Sequence, residues 1–196
     1  MNKKHLNRVA ALLGATLLIS ACQTIPQATP LPKELRVTSV VSTSNRNFAP
    51  QPGATVRWRG KLAVHAPAGT PSDPEQLSYI HDQVEAQLLA KGYQLVADGQ
   101  PATYVLQGLI VLGNELNEKA LRDILGFEPG LVAAGTEHQK GSLLLMLLDP
   151  ANNETQWRSA VQLLVTPELA EDVRQERIRF GVASLLRPLP TLVATP

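Results

Sequence analysis

Two rhythms of apolar and polar residues run along this 196-residue chain, and they delimit its elements. Leu35 to Thr43 (LRVTSVVST) is rich in β-branched residues and reads as a first strand. After a turn-rich stretch from Ser44 to Gly53, Thr55 to His65 reads as a second strand, with Gly60 marking a bulge or bend. The clearest helix follows Asp73-Pro74, an N-cap with proline at the first helical position. Leu77, Ile80, Val84 and Leu88 then form one apolar stripe, and Lys91-Gly92 supplies a basic last turn and a terminating glycine. Tyr93 to Ala97 alternates as a short strand. Thr103 to Leu112 is apolar on both faces near its end, which suits the centre of a sheet.

The second half continues with a short helix over Glu115 to Leu125 and a glycine-punctuated loop from Gly126 to Lys140. Ser142 to Leu148 and Thr155 to Val165 flank the turn residues Asp149 to Asn153 and read as a hairpin. A last helix is expected from Thr166 as N-cap, with Pro167 at its first position. Its apolar face is Leu169, Val173, Ile178, Val182, Leu185 and Leu186, and Pro188 stops it. These elements predict an α+β fold: a two-layer sandwich in which a mainly antiparallel β-sheet packs against two long helices and one short helix.

The N-terminus follows different rules. Lys3, Lys4 and Arg8 precede an apolar run from Val9 to Ser20, too short to span a bilayer, which needs about 20 residues. Small residues then lead into Cys22, and Leu18-Ile19-Ser20-Ala21-Cys22 resembles a bacterial lipobox. Residues 1–21 are thus expected to be a lipoprotein signal peptide, with Cys22 as the lipidated residue. Residues 22–34, with Pro26, Pro30 and Pro32, form a tether; 35–190 form one periplasmic domain, and 191–196 a loose tail. By resemblance to lipoprotein sorting rules, Gln23 in place of an aspartate implies the periplasmic face of the outer membrane.

Composition narrows the function classes. Lys+Arg is 18 and Asp+Glu is 17; taking away the three basic residues of the signal leaves 15 against 17. Such a weakly acidic chain has no field for gripping nucleic acid. One cysteine permits neither an internal disulfide nor a zinc site built on several cysteines. His65, His81 and His138 have no i, i+4 pairing, so no metal site is expected. No Gly-x-Ser-x-Gly elbow surrounds Ser78 or Ser142. Glu115 and Glu118 favour a helix N-terminus more simply than an acid–base pair. Arg174, Arg177 and Arg179, with Glu171 and Glu176, read as a solvated helix face. No catalytic residue and no cofactor are assigned.

Several phrases in order resemble the family of small bacterial lipoproteins classed as domain of unknown function 4136. They are the lipobox cysteine, Val56-Arg57-Trp58, and the helix closing in Leu88-Leu89-Ala90-Lys91-Gly92-Tyr93. Gly141-Ser142-Leu143 and Gln156-Trp157-Arg158 follow in the hairpin, then Leu185, Leu186 and Pro188 at the end of the last helix. Pro101-Ala102-Thr103 departs from the aspartate the family often places before the central strand, and the Glu115–Lys140 insertion is longer than in a minimal member. The resemblance implies an α+β periplasmic domain on a lipid anchor and no reaction. The expected function is a non-enzymatic binding or envelope-assembly accessory module, its partner an envelope protein, glycan or lipid. Phe127 and Leu131 are its candidate contact residues. The alternatives are a hydrolase or transferase acting on envelope polymers, and a carrier of an apolar ligand between sheet and helices.

Overall fold

A computed structural model describes residues 38–70, 73–113, 122–124, 139–165 and 169–192. The signal, Cys22, the tether, Phe127, Leu131, Glu115, Glu118, His138 and the last four residues lie outside these. The whole described core belongs to one compact unit within residues 31–196.

The fold is mixed α+β with one open seven-stranded sheet. In chain order the strands are β1 (Thr38–Ser44), β2 (Thr55–Trp58), β3 (Ala63–His65), β4 (Gln94–Leu95), β5 (Tyr104–Leu112), β6 (Gln139–Leu148) and β7 (Thr155–Val165). They line up as β1-β7-β6-β5-β2-β4, with β3 also on β5. β5, β6, β7 and β1 pair antiparallel, and the β6–β7 hairpin lies where the sequence places it. β2, β3 and β4 pair parallel, so the sheet is mixed. The parallel half follows from connectivity: β2 and β3 reach β4 only through a helix, and a crossover of that length returns the chain parallel.

β2 and β3 are one strand broken at Gly60, as the glycine suggests. Trp58 to Ala63 takes five steps where the facing Leu106 to Leu109 takes three. Gly60 has φ +69, and the extra residues swing Leu62 inward until it lies over Gly108 of β5. A Cβ at 108 would stand 2.3 Å from Leu62 Cδ2, so any larger residue there forces Leu62 to move.

Helix α1 (Pro74–Ala90) is capped as the sequence reads. The Asp73 side chain accepts from the Gln76 N–H, and Pro74 takes the first position. Its C-terminus closes with Gly92 at φ +88. The Gly92 N–H donates to the Leu89 carbonyl and the Tyr93 N–H to the Leu88 carbonyl, a Schellman closure. Helix α2 (Glu171–Leu186) departs from expectation. It starts at Glu171, with Ala170 as an N-cap that offers no side-chain acceptor. Glu171 and Asp172 instead complement the dipole, and the Arg174 guanidinium donates to the Leu169 carbonyl. Val182, Leu185 and Leu186 are fully buried on the sheet; burying each contributes about 1.5–3 kcal/mol. Residues 122–124 are also helical.

α1 and α2 run in the same direction across one sheet face. Arg174 Nη1 stands 4.0 Å from Asp73 Oδ2 at their N-terminal ends, and Lys91 Nζ donates to the Leu189 carbonyl (2.8 Å) at their C-terminal ends. Beneath them lie Leu106, Ile110, Leu143, Leu145, Leu147, Trp157 and Val161. The opposite sheet face is buried too: Val111, Leu144 and Ala160 are inaccessible there, with Ile124 packed against them.

Candidate functional site

Between the N-terminal halves of the two helices and the sheet lies a groove of about 200 Å³. α1 contributes Leu77 and Ile80, α2 contributes Ile178, and the floor is Ile110, Leu112, Leu143 and Leu163. Val64 of β3, exposed at 42%, stands at one margin, while Asp73 and Gln76 supply the polar edge. The walls are half-buried rather than closed, so the concavity is preformed and apolar. Gly181 matters here: a Cβ would come 3.1 Å from Leu163, so glycine lets α2 approach the sheet beside the groove. Adjoining the groove through Asp73, Gln76 and Ile178 is a polar depression of about 360 Å³ between α1 and α2, edged by Glu75, Asp82 and Glu171.

A second constellation sits on the outer side of α1. Trp58 stacks on His81, with ring centroids 4.5 Å apart, and its indole N–H donates to Glu85 Oε1 at 3.1 Å. His81 Nε2 lies 3.7 Å from Glu85 Oε1, and His81 Nδ1 lies 3.7 Å from Asp82 Oδ1. His81, Asp82 and Glu85 are the group of His and carboxylate ligands that come within 4.8 Å among the described residues. A His-x-x-x-Glu spacing, His81 to Glu85, is its signal in the sequence. Its evident work is structural: the indole bridges β2 to α1 and covers the imidazole.

The Lys91-Gly92-Tyr93 phrase is a clamp. Lys91 reaches the Leu189 carbonyl just beyond α2, and not its own helix end. Tyr93 Oη donates to the Pro190 carbonyl at 3.2 Å, and the Leu192 N–H donates to the Lys91 carbonyl at 2.7 Å. The chain after α2 is thereby tied to the end of α1. Burial lowers the Lys91 pKa and pushes the Tyr93 phenol well above its usual value, with the neighbouring Tyr104 adding to the latter.

Other residues singled out from sequence find bland places. Trp157 is in the core at 2% exposure. Arg158 turns its guanidinium to Thr43 Oγ1 and the Ile124 carbonyl. Ser142 is 3% exposed on the sheet face away from the helices, with Val111 and Gln162 as its cross-strand neighbours. Ser78 and His65 are exposed. Arg174 pairs with Glu171 at 3.1 Å, as read. Arg177 corrects the expectation of a solvated face: it is 7% exposed and donates to the Leu164 carbonyl at 2.6 Å, and desolvation lowers its pKa. The i+3 and i+4 spacing of arginines and glutamates hides that one of them faces the sheet. The groove itself escaped sequence reading, because its walls come from β3, α1, β5, β6, β7 and α2.

No described helix is long and apolar enough to cross a membrane. No family profile matches the sequence, and no curated protein does. Solved structures do match. A family protein of DUF4136 from Bacteroides thetaiotaomicron aligns with 81% of this chain and 98% of its own, at 14% identity and a TM-score of 0.54. A PelC dodecamer from Paraburkholderia phytofirmans aligns with 79% and 98%, at 16% identity and a TM-score of 0.50. A lipoprotein from Neisseria meningitidis aligns with 69% and 99%, at 10% identity and a TM-score of 0.40, too remote to build on. In fold, therefore, the chain resembles the DUF4136 family, the family its ordered motifs resemble in sequence.

Proposed function

We propose that this chain is a lipid-anchored accessory module of the bacterial envelope that works by binding, through the groove between α1, α2 and the sheet. The anchor in this reading is acylated Cys22, which follows a basic and then apolar leader, at the periplasmic face of the outer membrane. The observation that carries the binding role is the groove: a preformed concavity whose described walls are mainly aliphatic side chains, with Asp73 and Gln76 at its polar edge. Size decides what it takes. A dry cavity of about 150 Å³ accepts benzene, and whole drug-sized ligands need about 300–1,000 Å³. At about 200 Å³ the groove fits a ring pair or a short alkyl stretch, not a whole lipid. This supports the apolar-ligand reading; the Phe127 and Leu131 surface lies outside the described residues.

The test is titration of residues 31–196 with the neutral fluorophore N-phenyl-1-naphthylamine. Saturable binding is expected, weakened about 5-fold or more by Ile178→Ser in a variant that still unfolds cooperatively. Binding that Ile178→Ser and Leu77→Ser both leave unchanged would remove the groove from the account. The anchor has its own check: Cys22→Ser moves the protein out of the outer-membrane fraction, and unchanged fractionation contradicts lipidation at that residue.

A further inference from the structure

The groove's mouth carries charge of one sign. Asp73 borders the apolar groove, and Glu75, Asp82 and Glu171 border the depression that continues it. Asp73, Asp82 and Glu171 keep 47%, 68% and 64% of their side-chain surface exposed. No lysine or arginine lines either concavity among the described residues. Arg174 meets Glu171 and Asp73 from the side, and the two parallel helix N-termini contribute about half a positive charge each. Among the described residues, four carboxylates against one guanidinium and two helix ends leave the mouth net negative. The carboxylates do more than cap helices, since Asp82 lies in the third turn of α1, beyond the reach of its N-terminal dipole.

Resting on the groove as the binding site, we propose that its ligand is a small amphiphilic amine: an apolar chain or ring lying in the aliphatic wedge, with a single protonated amine over the Asp73, Glu75 and Glu171 carboxylates. The apolar part obtains its affinity from Leu77, Ile80, Leu163 and Ile178. The cation chooses among ligands with equivalent tails. An anionic head meets like charge at the mouth and is rejected, while a neutral head binds through its tail alone. Because the carboxylates are solvated, the preference is moderate and screened by salt.

Displacement of N-phenyl-1-naphthylamine from residues 31–196 by octylamine, octanol and octanoate at pH 7.5 tests this with one tail and three heads. Octylamine is expected to bind about 5- to 10-fold tighter than octanol, and octanoate weaker than either. The octylamine advantage should shrink in 0.5 M salt and vanish in the Glu75→Gln, Glu171→Gln double variant, which leaves the Asp73 cap intact. Octanol binding as tightly as octylamine, or a preference untouched by the double variant, overturns the amine while the apolar groove stands. Failure of all three to displace the fluorophore overturns the groove as well.

Discussion

Replacing Gly108 with alanine probes the contact that sets the β2–β3 break. An added Cβ would lie 2.3 Å from Leu62 Cδ2 and 3.2 Å from both Trp58 Cζ3 and Leu145 Cδ2. Carbon atoms prefer about 3.5–4.0 Å, so Leu62 must retreat by more than about 1 Å. Leu62 is 8% exposed, and Trp58 and Leu145 close two of its escape routes. An off-rotamer shift costs about 0.5–1.5 kcal/mol and partial re-exposure of the side chain more, with overpacked cores losing about 1–3 kcal/mol in general. Alanine recovers about 0.5–1 kcal/mol of backbone entropy in a strand. The net expectation is a loss of about 1–2 kcal/mol, read by urea unfolding as a lower midpoint at unchanged slope. Leu62→Ala alone costs about 2–3 kcal/mol, yet the double variant should be more stable than the two losses added, by at least about 1 kcal/mol. Gly108→Ala as stable as the parent, or strictly additive losses, would refute the reasoning.

Gly92→Ala forces an L-residue to φ +88 and should cost about 1 kcal/mol, seen as a fall of about 2–4 °C in Tm. Tyr93→Phe loses the bond to the Pro190 carbonyl and about 1 kcal/mol at pH 7. Since the folded phenol titrates above its usual range, the unfolded chain binds fewer protons above pH ~10, and the parent's stability falls as pH rises there. The Tyr93→Phe deficit should therefore narrow between pH 9 and pH 11 in unfolding curves, and a constant deficit argues against the buried phenol. Trp58→Phe keeps a ring over His81 but loses the donor to Glu85, costing about 1 kcal/mol. In a Glu85→Ala background, which removes the acceptor, that cost should shrink by about 0.5 kcal/mol or more in a double-mutant cycle, and an unchanged cost would contradict the bond.

Local rules carried the elements that local chemistry decides. Asp73-Pro74 marks the start of α1, Lys91-Gly92 its end, and the turn around Asn152 joins the two longest strands. Gly60 announces a break, although not the Leu62 plug that fills it. The start of α2 was misplaced because Thr166-Pro167 is a good capping signal, whereas the observed first turn relies on Glu171 and Asp172 alone. The alternation of Tyr93 to Ala97 marks β4 as a strand, but its parallel pairing with β2 depends on the α1 crossover, which no local pattern encodes. Arg177 was missed because burial of an arginine depends on a carbonyl from another element, here Leu164. The groove depends on how two helices sit on a sheet, a property of tertiary geometry that no single segment encodes.

Methyl-resolved NMR of residues 31–196 with N-phenyl-1-naphthylamine tests the binding groove most directly. The account predicts saturable shifts concentrated on the groove-lining methyl groups of Leu77, Ile80, Ile110, Leu112, Leu143, Leu163 and Ile178, with Leu147, Leu185 and Leu186 of the closed core unmoved. Shifts centred elsewhere, or none at saturating fluorophore, would contradict it.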